Sequence, residues 1–274
     1  MLYRGMDRAR LDPAYNNGAA VRERDAIVAG WSARSARLRA GRPRHLDLKY
    51  GDAPRERVDL FLADEPNAPT LMFIHGGYWQ MNAKELFAFL AEGPLALGIN
   101  VALAGYTLAP EARLDRIVGE IRRAALWLAE HLGDLGADRS RLYVSGWSAG
   151  GHLTAMMMPL APVRGGLAIS GLYDLEPIRL SYINEKLGLD EDEAGRNSPL
   201  LHLPPMAGEL VVAYGTDELP ELQRQSVEYA QAWVEQGLPG HVLLVDGANH
   251  FTILETLARP DGTLAQAVAK LVAE

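Results

Sequence analysis

The sequence predicts a protein of the α/β class, with a mostly parallel central sheet flanked by helices. Short apolar runs of strand length lack the alternation of a half-exposed strand, and longer segments with apolar positions at helical spacing separate them. Strands buried on both faces produce such runs. Strand–helix alternation along a chain favours a parallel sheet with helices on both faces.

Six buried strands and five long helices are predicted. The strands are Thr70–Ile74, Asn100–Ala104, Leu142–Ser145, Leu167–Ser170, Leu210–Tyr214 and Val242–Val245. The helices span residues 84–97, 113–132, 150–160, 221–236 and 263–272. Ahead of them, His45–Tyr50 and Val58–Leu62 alternate enough to form a strand pair around a Gly-Asp-containing turn.

The composition is that of an ordinary globular protein, with 48% hydrophobic and 23% charged residues. The length fits one large α/β domain or two small ones, and we predict a single domain over residues 1–274. A net charge of −8 argues against nucleic-acid binding, which needs a basic face. Without cysteine, disulfides, thiolate metal sites and cysteine nucleophiles are excluded.

Targeting and membrane signals are weak. The first residues lack the apolar core of a secretory signal. Apolar stretches such as Ala155–Val163 are too short for a membrane span. We therefore expect a cytoplasmic protein that does not bind membranes.

A serine between glycines is the candidate nucleophile. The segment GWSAG at 146–150 directly follows the predicted strand Leu142–Ser145 and opens a helix. The sharp turn between such a strand and helix raises a serine hydroxyl to the tip of the sheet. The flanking glycines suit it because the turn is too tight for a Cβ. In this context the pattern predicts Ser148 as a nucleophile; a glycine-rich helix start with a buried serine is the alternative.

The loop after the first buried strand reads HGGYW at 75–79. Acyl transfer builds an oxyanion, which needs backbone N–H donors held close to it in a dry site. We expect Gly77 and Tyr78 to supply such donors, together with Ala149, the residue after the serine. His75 is expected to hold its own loop, and it lacks partners at metal-ligand spacing.

His250 is the predicted general base. It lies just past the last predicted strand, where the chain order of nucleophile, acid and histidine requires the base. The remaining histidines lack this context: we expect His45, His131, His202 and His241 to be solvated and His152 to pack inside its helix.

Three carboxylates compete to orient the imidazole of His250. Asp217 and Glu218 follow the strand Leu210–Tyr214, where the acid is expected, whereas Asp246 ends the last strand itself. The acid fixes the imidazole tautomer and stabilises its protonated form. Adjacent residues cannot both point at one imidazole, so either Asp217 or Glu218 is a solvated loop charge.

Two further segments lie outside the strand–helix alternation. Residues 1–40 are polar and rich in Arg and Ala, and we expect a solvated helical arm packed on the domain. Residues 171–206 contain four prolines and are too long for a simple connection. We interpret them as a small cap over the active-site end of the sheet; a surface insertion without a role in substrate choice is the alternative.

These motifs resemble the α/β-hydrolase fold in its hormone-sensitive-lipase-like branch, and within it the kynurenine formamidase (arylformamidase) group. HGGYW at 75–79 matches the H-G-G-x-W motif of that group, and YTLAP at 106–110 matches the Y-x-L-A-P stretch of the wider branch. Further segments of similar sequence are SGLYDLEP at 170–177, PELQRQS at 220–226 and NHF at 249–251. The resemblance covers nearly the whole chain.

The resemblance bears on the acid and on the substrate. An ungapped match to the group's D-S-P-E-x-x-R-Q-S pattern puts Glu218 on the catalytic aspartate and favours it, whereas a one-residue insertion would restore Asp217. The implied reaction is hydrolysis of N-formyl-L-kynurenine through a Ser-His-acid triad and an acyl-enzyme, without metal or cofactor. The implied partner is a small molecule, and a homodimer is compatible with the resemblance.

Aromatic side chains near the nucleophile are expected to stack on an aryl substrate, with plain packing as the alternative for each. These are Trp79, Trp147, Tyr173 and Phe251. Other functions fit the same residues: a general carboxylesterase, a lyase or acyltransferase that uses the triad, or a non-hydrolytic binding module on this scaffold. Loss of the serine, histidine or acid would indicate a binding module, and all three positions are filled.

Overall fold

The computed structural model describes residues 1–42 and 45–273, and an eight-stranded sheet forms its centre. Its strands are β1 (Leu48–Lys49), β2 (Arg57–Phe61), β3 (Thr70–Ile74), β4 (Asn100–Ala104), β5 (Leu142–Trp147), β6 (Val163–Ile169), β7 (Glu209–Gly215) and β8 (Gly240–Val245). The spatial order is β1-β2-β4-β3-β5-β6-β7-β8. Of the predicted domain 1–274, Pro43, Arg44 and Glu274 lie outside the described residues.

The sheet is mixed and mostly parallel. β2 pairs antiparallel with β1 and β4, whereas every other neighbouring pair from β4 to β8 is parallel. This arrangement confirms the predicted α/β class. The predicted strand His45–Tyr50 contributes only Leu48–Lys49, because its preceding residues reach β2 by single contacts such as the Leu60 N–H to the His45 carbonyl.

The helices lie on both faces of the sheet. The α-helices are α1 (Arg8–Ala14), α2 (Asn17–Ala20), α3 (Arg24–Gly41), α4 (Glu92–Ala96), α5 (Leu114–His131), α6 (Ala149–Met157), α7 (Glu176–Leu180), α8 (Asn184–Leu187), α9 (Glu191–Arg196), α10 (Pro220–Glu235) and α11 (Thr263–Ala273). Short 3₁₀-helices span Lys84–Ala91, Pro199–Leu201 and Thr252–Thr256. The predicted helix 84–97 is divided because Pro94 has no N–H to donate to the carbonyl of Leu90.

Apolar side chains alternate between two cores along the parallel strands. In β3, Met72 and Ile74 join the core that includes α5, α6 and α10, whereas Leu71 and Phe73 join the core that includes α3 and α11. All five residues of β3 are therefore buried, as the unbroken apolar run predicts. β8 differs: it is the last strand of the sheet, and Leu244 is 54% exposed.

The N-terminal segment forms the helices α1 to α3 and packs on the domain, with several of its side chains buried. Leu11 and Tyr15 are fully buried, and Trp31 of α3 stacks on Phe89 with ring centroids 5.2 Å apart. The Trp31 indole N–H also donates to Glu255 at 2.8 Å. The burial of Trp31 was not predicted, because α3 is rich in Arg and Ala and the contacts of its single tryptophan are with residues far away in the sequence. Within the described chain, no helix combines the length and apolarity needed to cross a bilayer.

Candidate active site

Ser148 occupies the tight turn between β5 and α6. Its backbone has φ 58° and ψ −118°, a conformation that non-glycine residues rarely adopt and that costs on the order of 1–3 kcal/mol. A Cβ at Gly146 would lie 2.2 Å from the Gly150 carbonyl oxygen, and one at Gly150 would lie 1.9 Å from that of Ile74. The glycines thus allow the turn to form, and Ser148 lines a cavity at the carboxyl ends of the strands.

His250 and Glu218 form a buried pair. Glu218 follows β7 and His250 follows β8, and the two strands are parallel neighbours, so both loops emerge at the same edge of the sheet. His250 Nδ1 lies 2.6 Å from Glu218 Oε2. The side chains are 5% and 0% exposed, respectively. His250 lines the same cavity as Ser148.

The other two candidate acids do not contact His250. Asp217 and Asp246 are both exposed, and Asp246 accepts only a 3.5 Å hydrogen bond from the Thr216 hydroxyl within the described chain. The backbone N–H of Asp217 donates to the Ala248 carbonyl at 3.0 Å, which joins its loop to the segment before His250. The structure therefore brings Glu218, and not Asp217, to the imidazole.

Glu218 is held by two donors on its other oxygen. Oε1 accepts a hydrogen bond from the Ser170 hydroxyl at 2.6 Å and another from the Gly215 N–H at 2.8 Å. Ser170 directly follows β6 and has φ 51°. The role of Ser170 was not predicted. The only sign of it in the sequence is a serine at the end of the strand that lies next to β7. These bonds leave Oε2 directed at His250.

Trp147 and Phe251 surround the imidazole. The Trp147 indole N–H donates to the His250 carbonyl at 2.7 Å, and the Trp147 and His250 rings have centroids 4.8 Å apart. The Phe251 ring meets that of His250 edge-on at 5.7 Å. Both aromatic residues also line the cavity, and their stacking on an aryl substrate stays a prediction. Trp147 additionally positions the histidine backbone.

The candidate oxyanion donors lie in a loop with unusual backbone geometry. Gly77, Tyr78 and Trp79 have φ values of 121°, 50° and 57°. A Cβ at Gly77 would lie 2.5 Å from the Met81 carbonyl oxygen, which explains the glycine. Gly77 and Tyr78 line the cavity. Among the described residues, no acceptor receives their backbone N–H groups or that of Ala149, so these donors are available to a ligand.

Side-chain hydrogen bonds of Asn82 and Tyr78 anchor this loop. Asn82 Nδ2 donates to the Gly76 carbonyl at 3.0 Å. The Tyr78 hydroxyl donates to the Tyr15 carbonyl at 2.5 Å and accepts from Asn17 Nδ2 at 3.0 Å. The N-terminal segment is thereby tied directly to the candidate oxyanion loop.

The cavity has a volume of about 190 Å³. Much of its wall comes from the N-terminal segment, and only Tyr182 comes from the predicted cap 171–206. The contribution of the N-terminal segment to the cavity wall was not predicted, because residues 1–40 carry no motif. The residues of the segment that line the cavity are Asn16, Asn17, Gly18, Arg24, Val28 and Trp31.

Trp79 and Tyr173 were wrongly predicted to contact substrate. Both side chains are fully buried and lie outside the cavity wall. The Trp79 ring meets His152 edge-on at 5.0 Å, and Tyr173 stacks on Tyr229 at 4.2 Å. Trp79 follows the expected oxyanion donors in the sequence and Tyr173 lies in the predicted cap, which suggested both residues. The left-handed backbone at Trp79 turns its side chain into the core.

Two buried histidines have structural partners. His75 Nδ1–H donates to the Gly76 carbonyl at 2.9 Å, and His152 Nε2–H donates to the Asn197 carbonyl at 2.7 Å. Desolvation lowers the pKa of both imidazoles from 6.5 to about 4. Both rings are therefore neutral at pH 7. Among the described residues, no cluster of three or more His, Asp or Glu side chains could hold a metal ion.

These histidines predict acid sensitivity. Between pH 6.5 and about pH 4 the unfolded chain binds protons that the folded chain does not, so the free energy of unfolding falls as the pH falls. Each histidine contributes at most about 1.4 kcal/mol per pH unit. Denaturant unfolding should show a weaker pH dependence for His152→Gln than for wild type. The matched control is His202→Gln, which changes an exposed ring; equal slopes in both variants would contradict the assignment.

Comparison with known proteins identifies the family of the chain. The profile of a family described by its α/β-hydrolase fold matches residues 71–203. A kynurenine formamidase of Danio rerio is 33% identical over 242 residues, which are 83% of this chain and 81% of that protein. A kynurenine formamidase of Salmo salar is 32% identical over 83% of this chain and 81% of its own length.

A solved structure resembles the chain closely in fold. A candidate thioesterase from Silicibacter sp. TM1040 has a TM-score of 0.85 and 31% identity, covering 93% of this chain and 97% of that one. The chain therefore belongs to the α/β-hydrolase fold family, in its hormone-sensitive-lipase-like branch, and resembles the kynurenine formamidases.

Proposed function

We propose that this hydrolase cleaves small aryl formamides through a catalytic triad of Ser148, His250 and Glu218, as a kynurenine formamidase does. The observation that carries the proposal is the buried 2.6 Å contact between His250 and Glu218 beside the cavity that Ser148 lines. A carboxylate buried against Nδ1 holds the imidazole with its Nε2 free to accept a proton.

In the proposed reaction the Ser148 hydroxyl attacks the formyl carbonyl while His250 Nε2 takes its proton. Charge develops on the carbonyl oxygen, which the N–H groups of Gly77, Tyr78 and Ala149 stabilise. Collapse of the tetrahedral intermediate breaks the C–N bond, and His250 returns the proton to the leaving arylamine. A water molecule, deprotonated by His250, then attacks the formyl-enzyme; the bond between the formyl carbon and the Ser148 oxygen breaks, formate leaves and His250 returns the proton to Ser148.

The size and the lining of the cavity support the proposal of a small aromatic substrate. Its volume of about 190 Å³ is below the range of about 300–1,000 Å³ typical of pockets for drug-sized ligands. Apolar and aromatic side chains, including Val28, Trp31, Trp147 and Phe251, contribute to its wall. A formyl group is the smallest acyl group, and the aromatic walls suit an aryl leaving group.

A general carboxylesterase is the second candidate, because the same triad and oxyanion donors act on esters and thioesters. The similarity to the candidate thioesterase from Silicibacter sp. TM1040 favours keeping the carboxylesterase activity as a candidate. A non-catalytic binding module is disfavoured, since nothing in binding alone requires a buried His–Glu pair beside a strained serine. The cytoplasmic location and the homodimer remain predictions.

The test is a panel of substrates with purified protein. We expect the highest kcat/KM for N-formyl-L-kynurenine, followed by short p-nitrophenyl esters, with long-chain esters and an acyl thioester slower. Formate release measured beside kynurenine absorbance separates hydrolysis from acyl transfer. If a short ester exceeds N-formyl-L-kynurenine in kcat/KM, the carboxylesterase assignment replaces the formamidase assignment.

A further inference from the structure

The wall of the catalytic cavity carries one permanent charge among the described residues, that of Arg24. The other side chains of the wall are apolar, aromatic or neutral and polar, apart from His250. The chain as a whole has a net charge of −8, so the charge of the cavity wall is opposite in sign to that of the whole protein. A single positive charge in a site with low-dielectric walls raises the local concentration of an anionic ligand.

Arg24 has no strong partner in the described chain. Its one ion pair is to Asp25, with an N–O distance of 3.8 Å, and Asp25 is itself 96% exposed at its side chain. The Arg24 side chain is 45% exposed. The guanidinium lies against α2, since a Cβ at Gly18 would be 3.7 Å from Arg24 NH1. It is thus close to the cavity and free to bind a ligand.

Stability does not explain this arginine. Arg24 is the first residue of α3, where the positive end of the helix dipole disfavours a cation. A weak, exposed pair such as Arg24–Asp25 contributes little. By contrast, Arg34 and Arg39 of the same helix pair with carboxylates through much closer contacts. The position therefore suits recognition better than folding.

We propose that Arg24 binds the carboxylate of the substrate, so that the enzyme selects aryl substrates bearing an anionic group. This inference rests on the proposed function, because it assumes that the cavity beside Ser148 holds the substrate. The planar guanidinium presents paired N–H donors that match a carboxylate. The aromatic wall holds the aryl body while Arg24, at the partly exposed side of the cavity, holds the charge.

Two pairs of substrates test the proposal, and each compares an anionic carboxylate with a neutral, isosteric carboxamide at the same position; the α-ammonium group of the kynurenine pair is common to both of its members. The first pair is N-formyl-L-kynurenine and its carboxamide; the second is 3-acetoxybenzoate and 3-acetoxybenzamide. For Arg24→Gln we expect kcat/KM on the carboxylate of each pair to fall about tenfold, mostly through an increase in KM. On the carboxamide, kcat/KM should change by less than about twofold. Raising the ionic strength should increase the wild-type KM for the anion only.

Two further variants complete the experiment. Arg24→Lys should recover part of the preference for the anion, because it restores the charge without the fork geometry. Arg22→Gln removes an exposed arginine outside the cavity wall and should keep the wild-type preference. Equal losses on both members of a pair, or none on the anion, would overturn the assignment. If only the ester pair is cleaved, the formamidase proposal fails. The role of Arg24 is then tested by the kcat/KM values of Arg24→Gln and wild type on the ester pair alone.

Discussion

Ser148→Ala should lower kcat by about 10⁶ while the fold remains intact. The substitution removes one hydroxyl, and alanine tolerates the φ of 58° at this turn no worse than serine does. Without the hydroxyl no acyl-enzyme forms, and only the oxyanion donors and substrate binding remain to accelerate the reaction. Steady-state kinetics with N-formyl-L-kynurenine and the thermal unfolding midpoint measure the two effects.

Ser145→Ala is the matched control. Ser145 is a buried serine of β5, the strand that leads to Ser148, and its hydroxyl donates to the Leu167 carbonyl at 2.8 Å. Its loss should lower stability by about 1 kcal/mol without a comparable loss of kcat. In wild type, a fluorophosphonate should form one covalent adduct, located on Ser148 by mass spectrometry. Activity near wild type in Ser148→Ala would refute the serine-hydrolase mechanism.

Glu218→Gln should lower kcat by about 10⁴. The Ser170 hydroxyl and the Gly215 N–H both donate to Oε1, so the glutamine is expected to keep its carbonyl oxygen there. Its NH₂ group then faces His250 Nδ1 and makes that nitrogen an acceptor. The proton consequently resides on Nε2, which can no longer accept the proton of Ser148. The change thus reverses the imidazole tautomer with little change of shape.

Asp217→Asn is the control that the chain itself offers. It changes the adjacent carboxylate, which is exposed and does not contact His250. We expect kcat within about threefold of wild type, since an exposed loop charge contributes little to catalysis. Measurements at several pH values would separate a tautomer effect from a shift of the pH optimum. A severe loss for Asp217→Asn with a mild one for Glu218→Gln would assign the triad to Asp217 instead.

Local patterns in the sequence were sufficient to locate the six strands β3 to β8 and the turn at Ser148, although not the bounds of every strand. The structure has the bounds predicted for β3 and β4, because each strand is buried on both faces and its apolar run ends where burial ends. The G-x-S-x-G turn depends on contacts between close neighbours and on Ile74 and Ile169, which end the two adjacent strands β3 and β6. His250 was predictable for a similar reason, since it directly follows a strand.

The family resemblance favoured Glu218 over Asp217, but only tertiary contacts show which carboxylate meets His250 and which residues form the cavity wall. Asp217 and Glu218 are adjacent and chemically similar, and donors from Gly215 and from Ser170, 48 residues away, direct Glu218 inward. Asn17 meets Tyr78 across 61 residues.

The sequence by itself therefore determined the α/β class, the position of the candidate nucleophile and that of its histidine. The tertiary structure decided which carboxylate meets His250, that Trp79 and Tyr173 pack in the core, and that the N-terminal segment closes the cavity with Trp31 and Arg24. The physical reason is the range of the interactions. Periodicity and turn chemistry act over a few residues, whereas these contacts join segments that are close only after folding.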